Sequence, residues 1–259
     1  MLISALTVAG SDPSGGAGIQ SDLRTFSSCG VYGISVIASL TAQNTQGITA
    51  TMNVPAAFIA QQLDAVFSDL RVDAAKTGML GNAASVEIIA EKFLAYGTKN
   101  IVVDPVMVSS SGTTLLEPFA IETIKRRLIP LALVVTPNLH EAEILSESEI
   151  RDTAAMEAAA RRIHGMGARF VLVKGGHLAG DAVDVLYDGK KFFHLRENRI
   201  GSGEVHGTGC ALSAAIAAHL AQSDPVIEAV QKAKEFVTRA IANSVSLGHG
   251  NRLIFETGN

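Results

Sequence analysis

Short β-branched runs alternate with helix-period stretches along most of this chain, and that rhythm restricts the fold more than any other feature. Strands are predicted at Ile3 to Ala9, Ile34 to Ala42, Val72 to Thr77, Ile101 to Val103, Ala132 to Val135 and Phe170 to Lys174, with helical patterns between most of them. Strands separated by helices pair in parallel, so the chain reads as an α/β protein with a mostly parallel central sheet covered on both faces. The polar breaks at 10–16 and at Pro137-Asn138 fall just after strands. That is the carboxyl edge, where open α/β sheets bind ligands. One hairpin interrupts the rhythm: Ala182 to Tyr187, the turn Asp188-Gly189, then Lys191 to Leu195. It is expected as an antiparallel edge. No linker, low-complexity tract or repeat divides residues 1–259, which read as a single domain, and the final helices, Gly209 to Ala221 and Pro225 to Leu247, are expected to pack together on one face.

With 259 residues, 47% of them hydrophobic, the chain has ample material for a core. Its net charge is only −4 and the charges are interspersed, which argues against nucleic acid and against a membrane surface as partners. An anionic small molecule would need a local site. The apolar N-terminus MLISALTVAG has no basic segment and is too short to span a bilayer, so it reads as a buried strand. Two cysteines, Cys29 and Cys210, fit a reducing cytoplasm better than a disulfide scaffold.

Cys210 ends the segment His206-Gly207-Thr208-Gly209-Cys210, which runs into the small-residue stretch Ala211 to Ala221. A Gly-Thr-Gly turn feeding a helix aims backbone N–H groups and the positive end of the dipole at one point, where an anion can sit. A second glycine-rich stretch, Gly10 to Asp22, follows a strand and opens a helix. It does not continue into G-x-G-x-x-G, and no G-x-x-x-x-G-K-[ST] occurs, so it is either a tight strand-to-helix turn or a close approach to a ligand. On the helix after it, Asp22 leans toward the apolar stripe of Ile19, Leu23 and Phe26, and a carboxylate there must be paired or face a polar ligand. Gln43 ends an apolar strand, where its amide offers donor and acceptor side by side. That suits the edge of an aminopyrimidine, or simply a loop cap.

Asp104 follows a buried strand and is expected to project at the carboxyl edge. After Val134 to Pro137 a helix opens on Asn138, with Glu141 three residues later. The pair is either a capping box or a place where Glu141 holds hydrated Mg²⁺ near a phosphate. Lys174 closes a strand before Gly175-Gly176, so it is either solvated or a point charge for a polyphosphate. None of the seven histidines is assigned a catalytic role: His206 lines the turn, His177 is a candidate nucleotide contact, and His164 and His219 belong to helix surfaces or interfaces. Asp104, Glu141, Lys174 and the 207–210 turn together describe phosphoryl transfer without a Walker loop. Cys210 would take the proton of an acceptor hydroxyl, its pKa lowered by the helix N-terminus.

Seven segments match a known family in order: AGSDPSGGAGIQSDL (9–23), AQNTQG (42–47), KTGML (76–80), VVDPVMV (102–108), TPNLHEAEIL (136–145), VLVKGGH (171–177) and HGTGCALSAAIA (206–217). The chain resembles the hydroxymethylpyrimidine/phosphomethylpyrimidine kinases of thiamine biosynthesis, in the ribokinase-like superfamily, from about residue 3 to about residue 245. The resemblance implies a three-layer α/β/α sandwich, a homodimer, and two successive ATP-dependent phosphorylations, of 4-amino-5-hydroxymethyl-2-methylpyrimidine and then of its monophosphate. It implies that Gln43 and Asp22 bind the pyrimidine beside Gly10 and Met79. Lys174, Asn138, Thr208 and Gly209 fall on the ATP side, and Glu141 with Asp104 near Mg²⁺. Cys210, flanked by the Gly207 and Gly209 turn, stands where sugar-kinase relatives carry an aspartate base. The alternatives are a pyridoxal kinase of the same superfamily and a nucleotide sensor without catalysis. The stretch 109–114 lacks the lysine expected after the DPVM motif, and Ser21 and Ala211 stand where alanine and threonine are expected.

Overall fold

The computed structural model describes residues 2–108, 115–176, 182–197, 200 and 205–255. In chain order the elements are β1 (Ser4–Ser11), α1 (Gly18–Ser28), β2 (Tyr32–Asn44), β3 (Gly47–Asn53), α2 (Ala56–Asp69), β4 (Ala74–Thr77), α3 (Ala83–Ala95) and β5 (Ile101–Val103). There follow α4 (Pro118–Thr123), β6 (Val134–Val135), α5 (Leu139–Ser146), α6 (Thr153–His164), β7 (Phe170–Val173), β8 (Ala182–Tyr187) and β9 (Phe192–Glu197). The chain then forms β10 (Val205–His206), α7 (Thr208–Ala221), α8 (Val226–Ala242) and β11 (Arg252–Leu253).

Nine strands form one sheet in the order β3-β2-β1-β4-β5-β6-β7-β8-β9. The pairings from β2 through β7 are parallel, while β3 and the β8–β9 hairpin add antiparallel pairings at the two sides. Alternation along the strands sends side chains to two cores. Leu6, Val8, Ala75, Ile101, Val103 and Val135 meet Ile59, Leu63, Ile89 and Phe93 of α2 and α3, and Met156 and Ile163 of α6. Ala5, Ala74, Val102, Val134 and Leu172 meet α1, α7 and α8. This is the expected α/β/α sandwich. The alanine-rich run of α7 is buried almost throughout, and its small side chains let it lie close against α1, α8 and the strands.

The chain leaves β1 toward β2 and β3, then returns through α2 to pair β4 with the other side of β1. The strand order therefore reverses between β1 and β4, which opens a crevice at their carboxyl ends. The expected strands are all present, with β4 and β6 shorter than predicted and β2 extended to Asn44. Strand β3 was not anticipated: it is exposed along most of its length, so no apolar periodicity marks it. Helix α8 ends at Ala242 rather than at Leu247. Among the described residues no helix is long and apolar enough to cross a membrane.

Candidate active site

Each central strand ends its apolar row on the α7 face with a polar residue two positions later. Ala5 is followed by Thr7, Ala74 by Lys76, Val102 by Asp104, Val134 by Thr136 and Leu172 by Lys174. A period of two keeps each pair on one face, so the carboxyl edge of the sheet becomes polar where it meets the start of α7. That helix has Gly207 at its cap with φ of 87° and no side-chain cap. A Cβ on Gly207 would run into the Gly16 carbonyl, so only glycine fits. The first-turn N–H groups of α7 have no partner within the helix.

Lys174 Nζ donates to Asp104 Oδ1 at 3.0 Å, and a Cβ on Gly209 would lie 3.3 Å from the same ammonium. The lysine expected at the phosphate site is thus beside the α7 turn. Asp104 also accepts from Ser213 Oγ at 3.0 Å and Thr136 Oγ1 at 3.3 Å. Asn138 and Glu141 form the capping box: Asn138 Oδ1 accepts from the Glu141 N–H at 2.9 Å, and Glu141 Oε2 from the Asn138 N–H at 2.8 Å. The cap does not exclude a second role for the carboxylate. Burial, with Asp104 adding to it and Lys174 opposing, pushes Glu141 up to about 7. Lys174 is opposed by burial but held above the usual lysine value by Asp104 and Glu141.

Asp22 is fully buried and paired, one of the two outcomes its position allowed. Lys76 Nζ donates to both of its oxygens at 2.9 and 2.8 Å, and Thr7 Oγ1 donates to Oδ2 at 2.6 Å. Burial raises the Asp22 carboxyl while Lys76 and Thr7 pull it down. For Lys76, burial is outweighed by Asp22 above all, with Asp104 adding to it, and the ammonium stays charged. Sequence reasoning gave Lys76 no role of its own. The signal was its place two residues after Ala74 in a strand of a sheet covered on both faces, where a lysine must be buried and therefore paired.

The lowered pKa expected for Cys210 is not found. Its residue is partly exposed, yet the protein around the thiol pushes it up to about 11. Burial is the main cause, with Asp22 and Asp104 adding to it; Lys76 and the Gly18 N–H act the other way and are outweighed. The unliganded chain carries a protonated thiol at neutral pH.

Gly10 and Met79 meet across the crevice between β1 and β4: a Cβ on Gly10 would sit 3.2 Å from Met79 Sδ. Gln43 lies on the neighbouring strand at a register shift with β3, an irregularity that re-aims side chains. Its amide reaches Thr41 Oγ1 at 3.1 Å and His206 Nε2 at 3.0 Å. His206 Nε2 is also 3.2 Å from Asp12 Oδ2. Asp12 in turn accepts from the Ser14 N–H at 2.9 Å and the Ala17 N–H at 2.8 Å. Burial raises the Asp12 carboxyl, but His206, Ser14 and Ala17 together hold it below its usual value. Sequence reasoning placed His206 in the turn without this link and gave Asp12 no part. His219 pairs with Asp224 at the end of α7, and His164 packs edge-on against Tyr187, as helix-surface residues. His177 and the 109–114 stretch lie outside the described residues.

The site therefore has two halves on one sheet edge. One holds an ammonium, a glycine-rich helix start and two carboxylates; the other holds an amide, a glycine and a methionine at the strand-order reversal. Among the described residues no three His, Cys, Asp or Glu side chains gather as a self-sufficient metal site.

Residues 12–254 match the family model described as phosphomethylpyrimidine kinase. The chain is 53% identical over 249 residues to the thiamine biosynthesis bifunctional protein ThiED of Geobacter sulfurreducens, covering 96% of this chain and 51% of that protein. It is 50% identical over 254 residues to a hydroxymethylpyrimidine/phosphomethylpyrimidine kinase of Rhizobium meliloti, covering 96% and 95%. The chain thus spans about half the length of the bifunctional relative and nearly all of the other. In structure it is similar to Bacillus subtilis pyridoxal kinase in an ADP complex, with a TM-score of 0.92, 39% identity, and coverage of 98% and 97%.

Proposed function

The chain belongs to the phosphomethylpyrimidine kinase family, and from that premise we propose that it transfers the γ-phosphoryl group of ATP to 4-amino-5-hydroxymethyl-2-methylpyrimidine and then to its monophosphate. The observation that carries this reading is the Lys174 ammonium, 3.0 Å from Asp104 and set against the Gly207–Cys210 helix start. A polyphosphate needs a fixed point charge beside uncommitted amides, and both stand at one edge of the sheet.

In this reading Lys174, Asn138, Thr208 and Gly209 hold the nucleotide phosphates, and the Gly207 to Cys210 amides receive the charge that builds on the transferred group. Gln43 reads the amino group and ring nitrogen of the pyrimidine, with Gly10 and Met79 against the ring. Asp22, which the resemblance sets against the pyrimidine, is instead fully buried with its oxygens committed to Lys76 and Thr7, so in this reading it acts from beneath by fixing the ammonium that faces Cys210. The hydroxymethyl oxygen forms the new P–O bond as the bond to ADP breaks, and its proton passes to Cys210 when that residue is in its thiolate form. The thiolate is scarce at neutral pH, so positioning by the turn carries the larger share of the rate. Phosphoryl-transfer transition states are loose, which lessens the demand on a base.

The donor set fits Mg²⁺. Asp104 and Glu141 outnumber Lys174, and Glu141 is pushed to about 7 by burial and by Asp104. Such a surplus of carboxylate suits a cation that takes few protein ligands and completes its shell with phosphate oxygens and water. Asp104 and Glu141 would hold it, and it would neutralise charge on the phosphates.

The low cysteine content, two in 259 residues, suits a reducing cytoplasm. The exposed cross-strand pair Leu40 and Met52 supports a homodimer through the β2–β3 side, to be read by light scattering. The activity is tested by ADP release with the hydroxymethylpyrimidine, its monophosphate and pyridoxal. Pyridoxal is included because the Bacillus subtilis pyridoxal kinase structure is so similar.

A further inference from the structure

The Gln43 amide stands between two neighbours that together decide which way round it faces. One of its polar atoms is 3.0 Å from His206 Nε2 and the other 3.1 Å from Thr41 Oγ1. His206 Nε2 is also 3.2 Å from the Asp12 carboxylate, which the Ser14 and Ala17 N–H groups fix in place. A bare lone pair on Nε2 would oppose that carboxylate, so Nε2 carries the proton. A protonated Nε2 cannot accept from an amide nitrogen; it must meet the amide oxygen.

The other end agrees. Thr41 has one hydroxyl proton and two neighbours, the Ser11 carbonyl at 2.9 Å and the Gln43 amide at 3.1 Å. With that proton on the nearer carbonyl, Thr41 accepts, and Gln43 must offer it the NH₂ group. With the amide nitrogen toward His206, as the structure has it, two N–H groups would face each other and one Thr41 contact would lack a proton. Turned by 180° about its last bond, the amide gives its NH₂ to Thr41 and its oxygen to the single Nε2 proton, which Gln43 at 3.0 Å and Asp12 at 3.2 Å then share as a three-centre bond.

We propose that His206, held by Asp12, is a positioning residue that fixes the Gln43 amide with its oxygen on the His206 side, and so selects a ring whose amino group adjoins both a ring nitrogen and the hydroxymethyl carbon. This rests on the pyrimidine reading above. The substrate amino group donates to the Gln43 oxygen and the ring nitrogen accepts from the Gln43 N–H. The hydroxymethyl then lies beyond the amino group, on the His206 side, toward the turn that His206 itself begins. The opposite amide order would turn the ring over and carry the hydroxymethyl toward Thr41, away from Cys210.

The test pairs a substrate change with a protein change. We compare kcat/KM for the hydroxymethylpyrimidine and for its analogue lacking the 4-amino group, in the wild type, His206→Phe and Asp12→Asn. The wild type is expected to favour the amino compound by about tenfold or more, since a site built to pair a substrate N–H rejects the analogue without it. In His206→Phe that preference falls to within about threefold of unity while KM for ATP changes by less than about threefold, a split that a general loss of structure does not produce. Asp12→Asn is expected to lower the preference in the same direction. Undiminished preference in His206→Phe overturns the proposal alone, whereas a wild type that phosphorylates neither pyrimidine overturns the substrate reading and the proposal with it. Should the variants not fold, ¹⁵N NMR of wild-type His206 decides: a protonated Nε2 at neutral pH is expected, and an unprotonated Nε2 overturns the amide order.

Discussion

Cys210 shows how far a local rule reaches and where packing overrides it. A cysteine at a helix start is expected to have a lowered pKa, yet burial, Asp22 and Asp104 push this thiol up to about 11. Alkylation by iodoacetamide should therefore follow a titration well above that of an unperturbed cysteine; a midpoint below the free value of about 8.5 would contradict the account. Because the base form grows as pH rises, kcat/KM should climb above neutral pH, and Cys210→Ala should abolish that climb while lowering kcat at neutral pH by less than the about 10²- to 10⁴-fold of a full general base. Lys76 and Asp22 make a second prediction at this scale. Lys76→Met leaves a buried carboxylate unpaired and should destabilise the fold by about 3–5 kcal/mol in urea unfolding. Replacing Asp22 by Leu in the same chain should recover much of that loss; no recovery would mean that packing, not charge, holds the pair.

The helix starts and turns contribute as units. Gly207 adopts φ of 87° against the Gly16 carbonyl, so Gly207→Ala should displace the α7 turn. Loss of even one amide from the anion site should lower kcat by about 10²-fold or more. Unchanged turnover in a folded Gly207→Ala would remove the turn from the mechanism. The Asp12 loop carries a pH signature. Its carboxyl lies below its ordinary value of 3.8 in the fold, so its stabilising effect is present above that value and is lost as pH falls through the lower, folded one. Asp12→Asn should therefore cost about 1–3 kcal/mol at neutral pH, and the gap to wild type should close in strong acid. A gap independent of pH would refute the ionised form. At this scale the sequence was readable where apolar periodicity was strong: β1, β5 and the β8–β9 hairpin stand close to their expected places. Strand β3 was not, because a strand exposed along most of its length carries no apolar pattern. Lys76 escaped for the reverse reason: a charge inside an apolar run resembles a strand end until the covering helix is known.

Across the whole molecule, one sheet edge gathers residues 70 to 163 positions apart: Gln43 meets His206, and Asp104 meets Lys174 and Ser213. The sandwich and the carboxyl-edge location followed from strand and helix alternation alone. The hydrogen-bond chain from Asp12 to Gln43 did not, because it depends on where β10 comes to rest against the loop after β1. The division into a phosphate half and a ring half predicts separable kinetics. Gln43→Leu should raise KM for the pyrimidine and leave ATP binding within about twofold, and equal damage to both would contradict the division. The central claim is that this edge phosphorylates an aminopyrimidine alcohol twice. Its most direct test is ADP release, with product identified by mass, from the hydroxymethylpyrimidine, its monophosphate and pyridoxal under the same conditions. The account predicts higher kcat/KM for the hydroxymethylpyrimidine than for pyridoxal, and conversion of the monophosphate to the diphosphate; preferred turnover of pyridoxal, or no diphosphate, would contradict it.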